Sequence, residues 1–513
     1  MRLWDPAHAA AASGARLLGG APSAGEAPGP IAVSIDSRRT APGELFIGLR
    51  GERVDGGEHA DEALRAGAWG VLVRPEHAPA AAAAAATTAA DGTGGVVLVH
   101  ADPLEGLHAL ARAWRRELAA AGTKVVAITG STGKTSTKDI LAALLAHHVR
   151  VVASPENLNT EIGMPLALLG APGDTEVLVL EMAMRGAGQI GELTAIARPD
   201  VGVILNVGPV HLELLGSLEA IAAAKAELIS GLAPGATVVL PAGEPLLAPH
   251  LRADLRTFTF GHGGDVALED SRAGVAASGD RGARDVVERL GADGEVVIRV
   301  REPTGTGEAA GGDGRLTLRP SFGQPHNLRN LLAAVAASRA LGISPEGTLD
   351  VRFSRLRGER LALSGGAVLI DDCYNANPMS MRAAIDDLAE AAPARRVAVL
   401  GDMLELGPGA VRFHREIGAY AAEQGVQLLV TVGPLAAEMC AGFADEAHSV
   451  GDARAAAELL GALLRDGDTV LVKGSRGVGL EHLGEALGAA AKGAREPVGG
   501  ARIGGLAAGP RRR

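Results

Sequence analysis

The sequence predicts an α/β protein of three domains, on three observations. Its 513 residues are more than one hydrophobic core holds, so several domains are expected. Short β-rich runs alternate with helix-forming segments through two long stretches, which is typical of doubly wound, mainly parallel sheets. One of these strands enters a glycine turn that opens a helix. We place a small α/β domain at residues 1–118, a central domain at 119–343, a third domain at 344–495 and a disordered tail at 496–513.

Composition excludes several classes of protein. The formal net charge of −11 argues against a nucleic-acid binder, which usually carries a basic surface. The two cysteines, Cys373 and Cys440, are too few for a disulfide framework and suit a reducing compartment. We find no signal-peptide pattern and no strongly apolar run long enough to span a bilayer. We therefore expect a cytoplasmic protein without membrane insertion, and a monomer, since nothing in the sequence demands an oligomer.

The first domain is predicted from a series of short elements. We expect strands at 31–35, 44–49, 70–73 and 95–100, and helices at 57–67 and 102–118. The run 78–90 is mostly alanine, and we interpret it as a surface insertion or a loose helix without chemistry. A polar turn that includes Ser37 and Arg38 could hold a phosphorylated ligand, and a solvated loop is the other interpretation.

The stretch VVAITGSTGKTSTKD, at 125–139, has the layout of a phosphate-binding loop. The glycines let the backbone approach phosphate oxygens, and the following helix N-terminus favours an anion. Lys134 supplies a positive charge, and the hydroxyl of Thr135 can bind Mg²⁺. The alternative is a glycine turn before an amphipathic helix, with no ligand. The residues expected at the phosphates are Gly130, Ser131, Thr132, Gly133, Lys134, Thr135 and Ser136.

Polar residues follow two further strands of the central domain. Glu181 ends the apolar run 176–181, and His211 comes shortly after the run 201–207. Ligands bind at the carboxyl ends of parallel strands, so both side chains are expected near the phosphate loop. Glu181 can ligate Mg²⁺ through oxygen, and His211 can ligate or orient a group. Between these strands, Asn157 fits turn capping as readily as ligand contact.

Three other features of the central domain are less specific. Lys225 lies among alanines in a predicted helix at 221–229. Because little covers it there, the sequence favours an ordinary lysine whose charged end reaches water. Asn327 and Asn330 are three residues apart and therefore share one face of a helix. The stretch 261–314 is rich in Gly, Asp and Arg, and we expect a small strand excursion or a flexible insert there.

The third domain repeats the alternating pattern, with strands predicted at 367–370, 396–400, 427–432 and 469–472. Polar segments stand at three strand ends: DDCYNANP at 371–378, GDMLELG at 401–407 and KGSRG at 473–477. Arg360 lies just before the first of these strands. Because carboxyl ends of parallel strands share one edge, these segments are expected to form a site rather than a general surface.

In their order along the chain, these motifs resemble those of the Mur ligases of peptidoglycan synthesis. The resemblance covers roughly residues 30–490, and HNxxN is shared by the whole family. NANPMSM is more selective and, with GDMLELG and VKGSRG, is similar to the member that adds the last two residues. The motifs are GSTGKTSTKD, NLNTEIGMP, the strand ending at Glu181, NVGPVHLELLGS, AAAKAEL, HNLRN, the Arg360 segment and DDCYNANPMSM.

The resemblance implies a UDP-substrate-binding first domain, a central P-loop domain that binds ATP, and a Rossmann-like third domain that closes over the site. It implies ATP-dependent joining of D-alanyl-D-alanine to UDP-MurNAc-tripeptide through an acyl phosphate. Lys134, Glu181, His211 and Lys225 would be catalytic, with Thr135, Glu181, His211 and a carbamylated Lys225 around Mg²⁺. The other implied contacts are Asn157, Asn327, Asn330, Arg360 and Asp372 on ATP, Ser37 and Arg38 on the UDP substrate, and Tyr374, Asn375 and Asn377 on the dipeptide.

Three alternatives remain open from the sequence. A related ligase could add the third residue of the peptide, or glutamate to a folate. A ligase for a diamino acid would be expected to carry a D-N-P-[RK]-type motif, and NANPMSM occupies the comparable region here. A non-catalytic nucleotide-binding protein of this fold would not need the whole set of catalytic residues. A nucleotide-hydrolysing switch would leave the third domain without a purpose.

Overall fold

The computed structural model describes residues 4–18, 29–90, 95–155, 157–269, 294–301 and 314–488. Three separate β-sheets follow one another along this part of the chain, each with flanking helices. The predicted α/β class and three-part architecture are confirmed. The predicted tail at 496–513 lies outside the described residues. Within the described ranges, no helix combines the length and the apolar character needed to cross a membrane.

The first sheet contains five short strands, β1 (Arg16–Leu17), β2 (Val33–Ser34), β3 (Leu45–Ile47), β4 (Gly70–Val73) and β5 (Val96–Val99). Their order is β1-β5-β4-β3-β2, and only the β1–β5 pair is antiparallel. The four predicted strands are therefore present, and β1 is an addition. The helices are α1 (Pro6–Ser13), α2 (Ala60–Arg65), α3 (Ala78–Ala90) and α4 (Pro103–Ala120).

The alanine run forms α3, so the helical alternative is confirmed, but the helix is not loose and the run is not a surface insertion. Ala78, Ala81 and Ala85 are buried in one cluster with Leu64 and Val97. Their spacing of three and four residues places them on one helical face. The small side chains let α3 pack closely on the sheet, so the run is part of this domain's core.

Helix α4 belongs to the core of two domains. Its Arg115 guanidinium donates hydrogen bonds to the carbonyl of Ala197, at 2.8 Å, and to Asp200, at 3.1 Å. The Trp114 indole donates to the carbonyl of Ala171 at 3.0 Å. These partners are in the central domain. One apolar cluster runs without a break from the first sheet through α4 into the central domain, so the first two domains are firmly joined.

The central sheet has ten strands in the described residues, in the order β15-β14-β13-β12-β11-β10-β9-β6-β8-β7. They are β6 (Lys124–Thr129), β7 (Val151–Ala153), β8 (Val177–Glu181), β9 (Val201–Ile204), β10 (Thr237–Pro241), β11 (Arg256–Phe260), β12 (Val266–Leu268), β13 (Val296–Val300), β14 (Gly314–Pro320) and β15 (Gly347–Leu349). The helices are α5 (Lys134–Leu145), α6 (Gly163–Leu169), α7 (Gln189–Ala197), α8 (Leu212–Leu215), α9 (Leu218–Gly231) and α10 (Pro325–Ala340).

The described residues of the stretch 261–314 extend this sheet, which confirms the expected strand excursion for that part of it. β13 runs antiparallel to both β12 and β14, whereas the other neighbours in the sheet are parallel. Residues 270–293 and 302–313 lie outside the described chain. The parallel strands β6, β8 and β9 are adjacent, so their carboxyl ends converge at one edge.

The third sheet has six described strands in the order β16-β17-β21-β18-β19-β20. They are β16 (Glu359–Ala362), β17 (Val368–Asp371), β18 (Arg396–Gly401), β19 (Leu428–Val432), β20 (Glu446–Val450) and β21 (Thr469–Lys473). The helices are α11 (Pro378–Ala391), α12 (Ala410–Glu423), α13 (Ala453–Leu463) and α14 (Leu483–Ala486). The four predicted strands are confirmed. The sequence missed the edge strands β16 and β20, whose residues are mostly exposed and lack a continuous apolar run.

The third domain contacts the central domain directly across the cleft. In the connection between β15 of the central sheet and β16 of the third sheet, Ser354 donates two hydrogen bonds of 2.9 Å, from its backbone N–H and its hydroxyl, to the Asp139 carboxylate on α5. The backbone N–H of Glu213 donates to the carbonyl of Glu405 at 3.3 Å. The two sheets thus present their carboxyl edges to a common cleft of about 1810 Å³.

Candidate active site

The phosphate loop connects the end of β6 to the start of α5, as the sequence predicted. Its backbone has a φ of 81° at Gly133, a conformation that side chains disfavour. A Cβ there would lie 2.6 Å from Oδ1 of Asn330, and one at Gly130 would lie 2.9 Å from Cβ of Leu205. The two glycines let the loop pass close to its neighbours. The N-terminus of α5 then lines the cleft, where it favours an anion.

The loop is fixed by side-chain hydrogen bonds to the end of β9. Asn206 accepts a bond of 3.0 Å from the backbone N–H of Thr132, and its own amide donates to the Thr132 hydroxyl at 3.1 Å. Ser131 donates to the carbonyl of Gly208 at 3.1 Å. Sequence analysis did not assign Asn206, although it opens the NVGPVH motif directly after a strand. Its position at the end of a strand is the sequence signal that could have placed Asn206 at the site.

Glu181 and Thr135 meet beside the loop, as predicted. The Thr135 hydroxyl donates to Oε2 of Glu181 at 2.8 Å, and Oε1 of Glu181 accepts from the Asn159 amide, also at 2.8 Å. Glu181 is only 2% exposed. Asn157, which was assigned to ATP, is exposed at the wall of the cleft, so Asn159 is the amide that holds the carboxylate. The pair offers two hard oxygen ligands of the type that Mg²⁺ prefers.

Lys225 is buried, which contradicts the expectation that little covers it. It is 2% exposed on α9, in a part of the chain where small alanines let neighbouring helices approach closely. Within the described residues, its ammonium has no hydrogen bond or ion pair. Burial and the nearby charge of Lys134 hold the pKa of Lys225 well below its ordinary value. The neutral amine is therefore strongly favoured relative to a lysine in water.

Lys134 lies over the loop that it follows. Its Nζ donates to the carbonyl of Gly130 at 3.0 Å. Withdrawal from water lowers the pKa of Lys134, the charge of Glu181 opposes this, and Arg357 adds to it. Lys134 and His211 line the cleft, and Lys225 lies near both of them, so this side of the cleft favours anions.

His211 follows β9 and adopts an unusual backbone conformation, with φ at 53°. Its Nδ1 donates to Oε2 of Glu405, a residue of the third domain. Burial lowers the pKa of His211, the Glu405 carboxylate opposes that shift, and Lys134 and Lys225 reinforce it. Sequence analysis listed the GDMLELG motif but did not assign Glu405, because its partner is almost two hundred positions away.

An arginine of the third domain reaches the phosphate loop, but it is not the predicted one. Nη2 of Arg357 donates to the Thr135 hydroxyl at 3.2 Å, and its guanidinium carbon lies 4.0 Å from the centre of the Tyr374 ring. Arg360 lies within β16, is exposed and contacts Asp387 at 3.4 Å. The structure thus brings Arg357 rather than Arg360 to the lining of the cleft, and a contact of Arg360 with ATP stays a prediction.

The predicted DDCYNANP segment does line the cleft. Asp372 accepts from Nζ of Lys473 at 2.6 Å, and Lys473 also donates to the carbonyl of Asn375 at 3.0 Å. The side chain of Asn377 accepts from the N–H of Ser380 at 3.0 Å and caps α11. This capping accounts for Asn377 without a ligand. The sequence did not assign Lys473, although it starts the KGSRG motif.

Asn327 and Asn330 share one face of α10, as predicted. Nδ2 of Asn330 donates to Oδ1 of Asn327 at 3.3 Å, and Asn330 packs against Gly133. His326 stands beside them at the cleft wall. Burial lowers the pKa of His326, whereas it raises the pKa of Asp387 across the cleft. These groups line the continuation of the cleft beyond the loop.

Ser37 and Arg38 lie in the first domain, and the structure does not bring them to the lining of this cleft. Oγ of Ser37 donates to Glu62 at 3.4 Å. The Arg38 guanidinium donates two bonds of 2.9 Å to Asp36, and this pairing lowers the pKa of Asp36. They form a separate polar surface of the first domain.

The geometry defines a class of protein. A phosphate loop, a buried carboxylate and a group of basic side chains face a third domain that supplies an arginine and a glutamate. This arrangement suits an enzyme that binds a nucleoside triphosphate and transfers its phosphoryl group in an interdomain cleft. Three family models match the chain: "Mur ligase family, catalytic domain" at residues 32–115, "Mur ligase middle domain" at 128–338 and "Mur ligase, glutamate ligase domain" at 356–476. The chain belongs to the Mur ligase family.

Curated relatives and solved structures agree with this assignment. A UDP-N-acetylmuramoyl-tripeptide–D-alanyl-D-alanine ligase of Mycobacterium leprae is 37% identical over 89% of this chain and 92% of the relative. One of Bacillus subtilis is 35% identical over 88% and 92%. The crystal structure of MurF from Acinetobacter baumannii has a TM-score of 0.74 at 26% identity, covering 95% of this chain and 99% of that chain. MurF from Thermotoga maritima in complex with ADP has a TM-score of 0.69 at 29% identity, covering 89% and 96%.

Proposed function

We propose that the chain is an ATP-dependent ligase that joins D-alanyl-D-alanine to UDP-MurNAc-tripeptide. The products are UDP-MurNAc-pentapeptide, ADP and phosphate. The UDP-MurNAc-pentapeptide is the precursor of peptidoglycan. One observation supports this most strongly. Lys134, Thr135 and Glu181 at the phosphate loop meet Arg357 and Glu405 from the third domain in one cleft. The relatives named above supply the identity of the substrates.

ATP is placed by the loop and by helix α10. The triphosphate lies on the N-terminus of α5, with Lys134 and Arg357 balancing its charge. Asn327, Asn330 and Asp372 line the wall where the nucleoside continues. Asn157 lies at the opposite rim.

Mg²⁺ fits the donors present at the loop. The hydroxyl of Thr135 and the carboxylate of Glu181 are adjacent oxygens, and Glu181 is held by Asn159. Nδ1 of His211 is bonded to Glu405, which leaves Nε2 as the ring nitrogen available to a ligand. When bound, the ion would neutralise phosphate charge and polarise the γ-phosphoryl group.

The buried amine of Lys225 fits carbamylation. A neutral amine can attack CO₂ to give a carbamate with loss of one proton, and the environment of Lys225 favours that neutral form. The product is an anion beside Lys134 and His211, and its charge offsets the positive charge of Lys134. A carbamylated Lys225 would add an oxygen donor for Mg²⁺.

The reaction proceeds in two steps on the substrates. The terminal carboxylate of the tripeptide attacks the γ-phosphorus of ATP, the bond to the β-phosphate oxygen breaks and ADP leaves. The amine of the dipeptide then attacks the acyl carbon, loses a proton and expels phosphate. Lys134 and Arg357 stabilise the charge on the transferring phosphoryl group. The closed third domain excludes water, which would otherwise hydrolyse the acyl phosphate.

We assign the UDP end of the large substrate to the first domain and the dipeptide to the third domain. Ser37 and Arg38 are proposed to contact the UDP end of the large substrate. Tyr374, Asn375 and Asn377 stand in the segment proposed for the dipeptide, although Asn377 also caps α11. A monomer in the cytoplasm is part of the proposal, where ATP is supplied and the two free thiols, Cys373 and Cys440, stay reduced.

The test is ADP release with UDP-MurNAc-tripeptide and Mg²⁺, with and without D-alanyl-D-alanine. We expect release that depends on the dipeptide and a product heavier by that dipeptide. Release with a single amino acid and a shorter precursor would assign the chain to a related ligase. No release with any of these substrates would favour a non-catalytic nucleotide-binding protein.

A further inference from the structure

The cleft contains an arginine that the reaction described above does not use. Arg476 lies in the loop after β21, is exposed and lines the cleft. Among the described residues that line the cleft, four arginines have no carboxylate within 4 Å: Arg299, Arg329, Arg357 and Arg476. Arg357 is already assigned to the phosphate loop, so three remain without a role. Lys473, in the same loop, is fully engaged with Asp372 and Asn375. An unpaired guanidinium at the wall of a closed cleft is a ready site for a carboxylate.

The three cleft arginines that have neither a carboxylate partner nor an assigned role differ in position. Arg299 is on β13 and Arg329 on α10, so both belong to the central domain, on the side of the cleft beside Asn330. Arg476 belongs to the third domain and is next to the loop that carries Glu405. The hydroxyl of Ser475 accepts from the N–H of Leu404 at 3.0 Å, which ties these two loops together. Arg476 is therefore on the side where the third domain meets His211.

Arg476 and Arg357 share one aromatic ring. Their guanidinium carbons lie 5.8 Å and 4.0 Å from the centre of the Tyr374 ring. Arg357 in turn contacts Thr135 at the phosphate loop. A dipeptide in extended form spans roughly 7 Å, so it can lie along this ring with its amine near Arg357 and its carboxylate near Arg476. The cation–π contacts with the Tyr374 ring restrict the positions of both guanidinium groups.

We propose that Arg476 binds the terminal carboxylate of the incoming D-alanyl-D-alanine and so sets the direction in which the dipeptide enters. This rests on the proposed function. Arg476 is then a specificity determinant. The enzyme prefers a substrate whose free carboxylate is separated from the reacting amine by the length of a dipeptide.

The test compares D-alanyl-D-alanine with D-alanyl-D-alaninamide, which lacks the carboxylate, in the full-length enzyme. We expect the wild type to use the amide with kcat/KM lower by about 10- to 150-fold, the value of a hydrogen bond to a charged group. Arg476→Gln is expected to lose a similar factor with the carboxylate, mainly in KM for the dipeptide, and little with the amide. The discrimination between the two dipeptides would then disappear, and Arg476→Lys would restore part of it.

Arg412→Gln is the matched control, because Arg412 is an exposed arginine of the same domain that also lies over a ring, 4.7 Å from the centre of Phe413. It is expected to keep the wild-type discrimination. A purely structural role for Arg476 would change kcat with both dipeptides and lower the Tm. Unchanged discrimination in Arg476→Gln, or a rise in KM for ATP instead, overturns the inference. A wild type that releases no ADP with either dipeptide overturns the proposed function and the inference together.

Discussion

Glu405 of the third domain accepts a hydrogen bond from Nδ1 of His211 in the central domain. The two residues belong to different sheets, so the contact exists only when the third domain lies over the cleft. Glu405 also lies 3.6 Å from Arg185, at the rim of the central domain. A single carboxylate thereby links domain closure to the orientation of a histidine beside the phosphate loop.

Removing this carboxylate is expected to affect turnover more than stability. We predict that Glu405→Ala lowers kcat by about 10- to 100-fold and raises the Mg²⁺ concentration needed for half-maximal rate, because His211 is no longer oriented. Glu405→Gln keeps an acceptor and should retain more activity. Initial rates over a range of Mg²⁺ concentrations measure this. Glu416→Ala, at an exposed pair with Arg412, is the control. Equal Mg²⁺ dependence in wild type and Glu405→Ala would argue against the orienting role.

The close approach of Gly133 to Asn330 gives a second prediction. Gly133→Ala is expected to raise KM for ATP, since its Cβ would lie 2.6 Å from Oδ1 of Asn330 and displace the loop. Gly235→Ala is a matched control: its φ is 80°, yet a Cβ there meets nothing within 4 Å. Both changes carry about 1–2 kcal/mol of backbone strain. Only Gly133→Ala should weaken ATP binding, measured by titration calorimetry, and Asn330→Ala in the same chain should partly relieve the clash. Equal ATP affinity in Gly133→Ala and Gly235→Ala would show that a clash with Asn330 does not disturb ATP binding.

The buried amine of Lys225 is expected to lower the stability of the folded chain while being needed for activity. Because its pKa is lower in the folded chain than in the unfolded chain, the unfolded chain binds more protons between the two values. The free energy of unfolding therefore rises with pH through that window, and the penalty is complete below the folded pKa. Lys225→Met should abolish turnover. It should also raise the free energy of unfolding by about 1–3 kcal/mol at neutral pH, because folding withdraws the Lys225 amine from water.

Urea denaturation at several pH values, in buffer freed of CO₂, checks this prediction. The advantage of Lys225→Met should shrink as pH rises toward the ordinary lysine pKa. Lys124→Met is the control, since Lys124 is exposed and paired with Asp200 at 3.0 Å. A variant that is less stable than the wild type at neutral pH would show that Lys225 is satisfied in the folded chain.

Much of the site follows from the sequence, because parallel strands have carboxyl ends at one edge. The loop after β6, Glu181 after β8 and His211 after β9 had to converge once the strands were assigned. The paired asparagines of α10 follow from helical periodicity in the same way. These relations are local or topological, and they need no knowledge of how side chains pack.

The rest depends on packing between distant segments. Lys225 appears uncovered in a run of alanines, but small side chains let helices approach and bury it. Arg357 and Arg360 are three residues apart, and only the start of β16 at Glu359 decides which one enters the sheet. The reversal of the backbone at Leu356, where φ is 60°, turns Arg357 toward the cleft. Glu405 and Asn159 likewise depend on partners that other elements supply.

Lys134 should be indispensable for turnover but not for folding. Lys134→Ala is predicted to reduce kcat by about 100-fold or more, because the charge that neutralises the transferring phosphoryl group is lost. Far-UV circular dichroism and the Tm should show an intact fold. Lys124→Ala removes an exposed lysine of the same domain and should retain the wild-type rate. Wild-type turnover in Lys134→Ala would place the phosphates elsewhere.

The most direct measurement follows an oxygen atom through the reaction. UDP-MurNAc-tripeptide labelled with ¹⁸O in its terminal carboxylate is incubated with ATP, Mg²⁺ and D-alanyl-D-alanine, and the released phosphate is analysed by mass spectrometry. If the carboxylate attacks the γ-phosphorus, one labelled oxygen appears in each phosphate formed with the pentapeptide product. Product formation with unlabelled phosphate would mean that no acyl phosphate forms, and the role assigned to the cleft would be wrong.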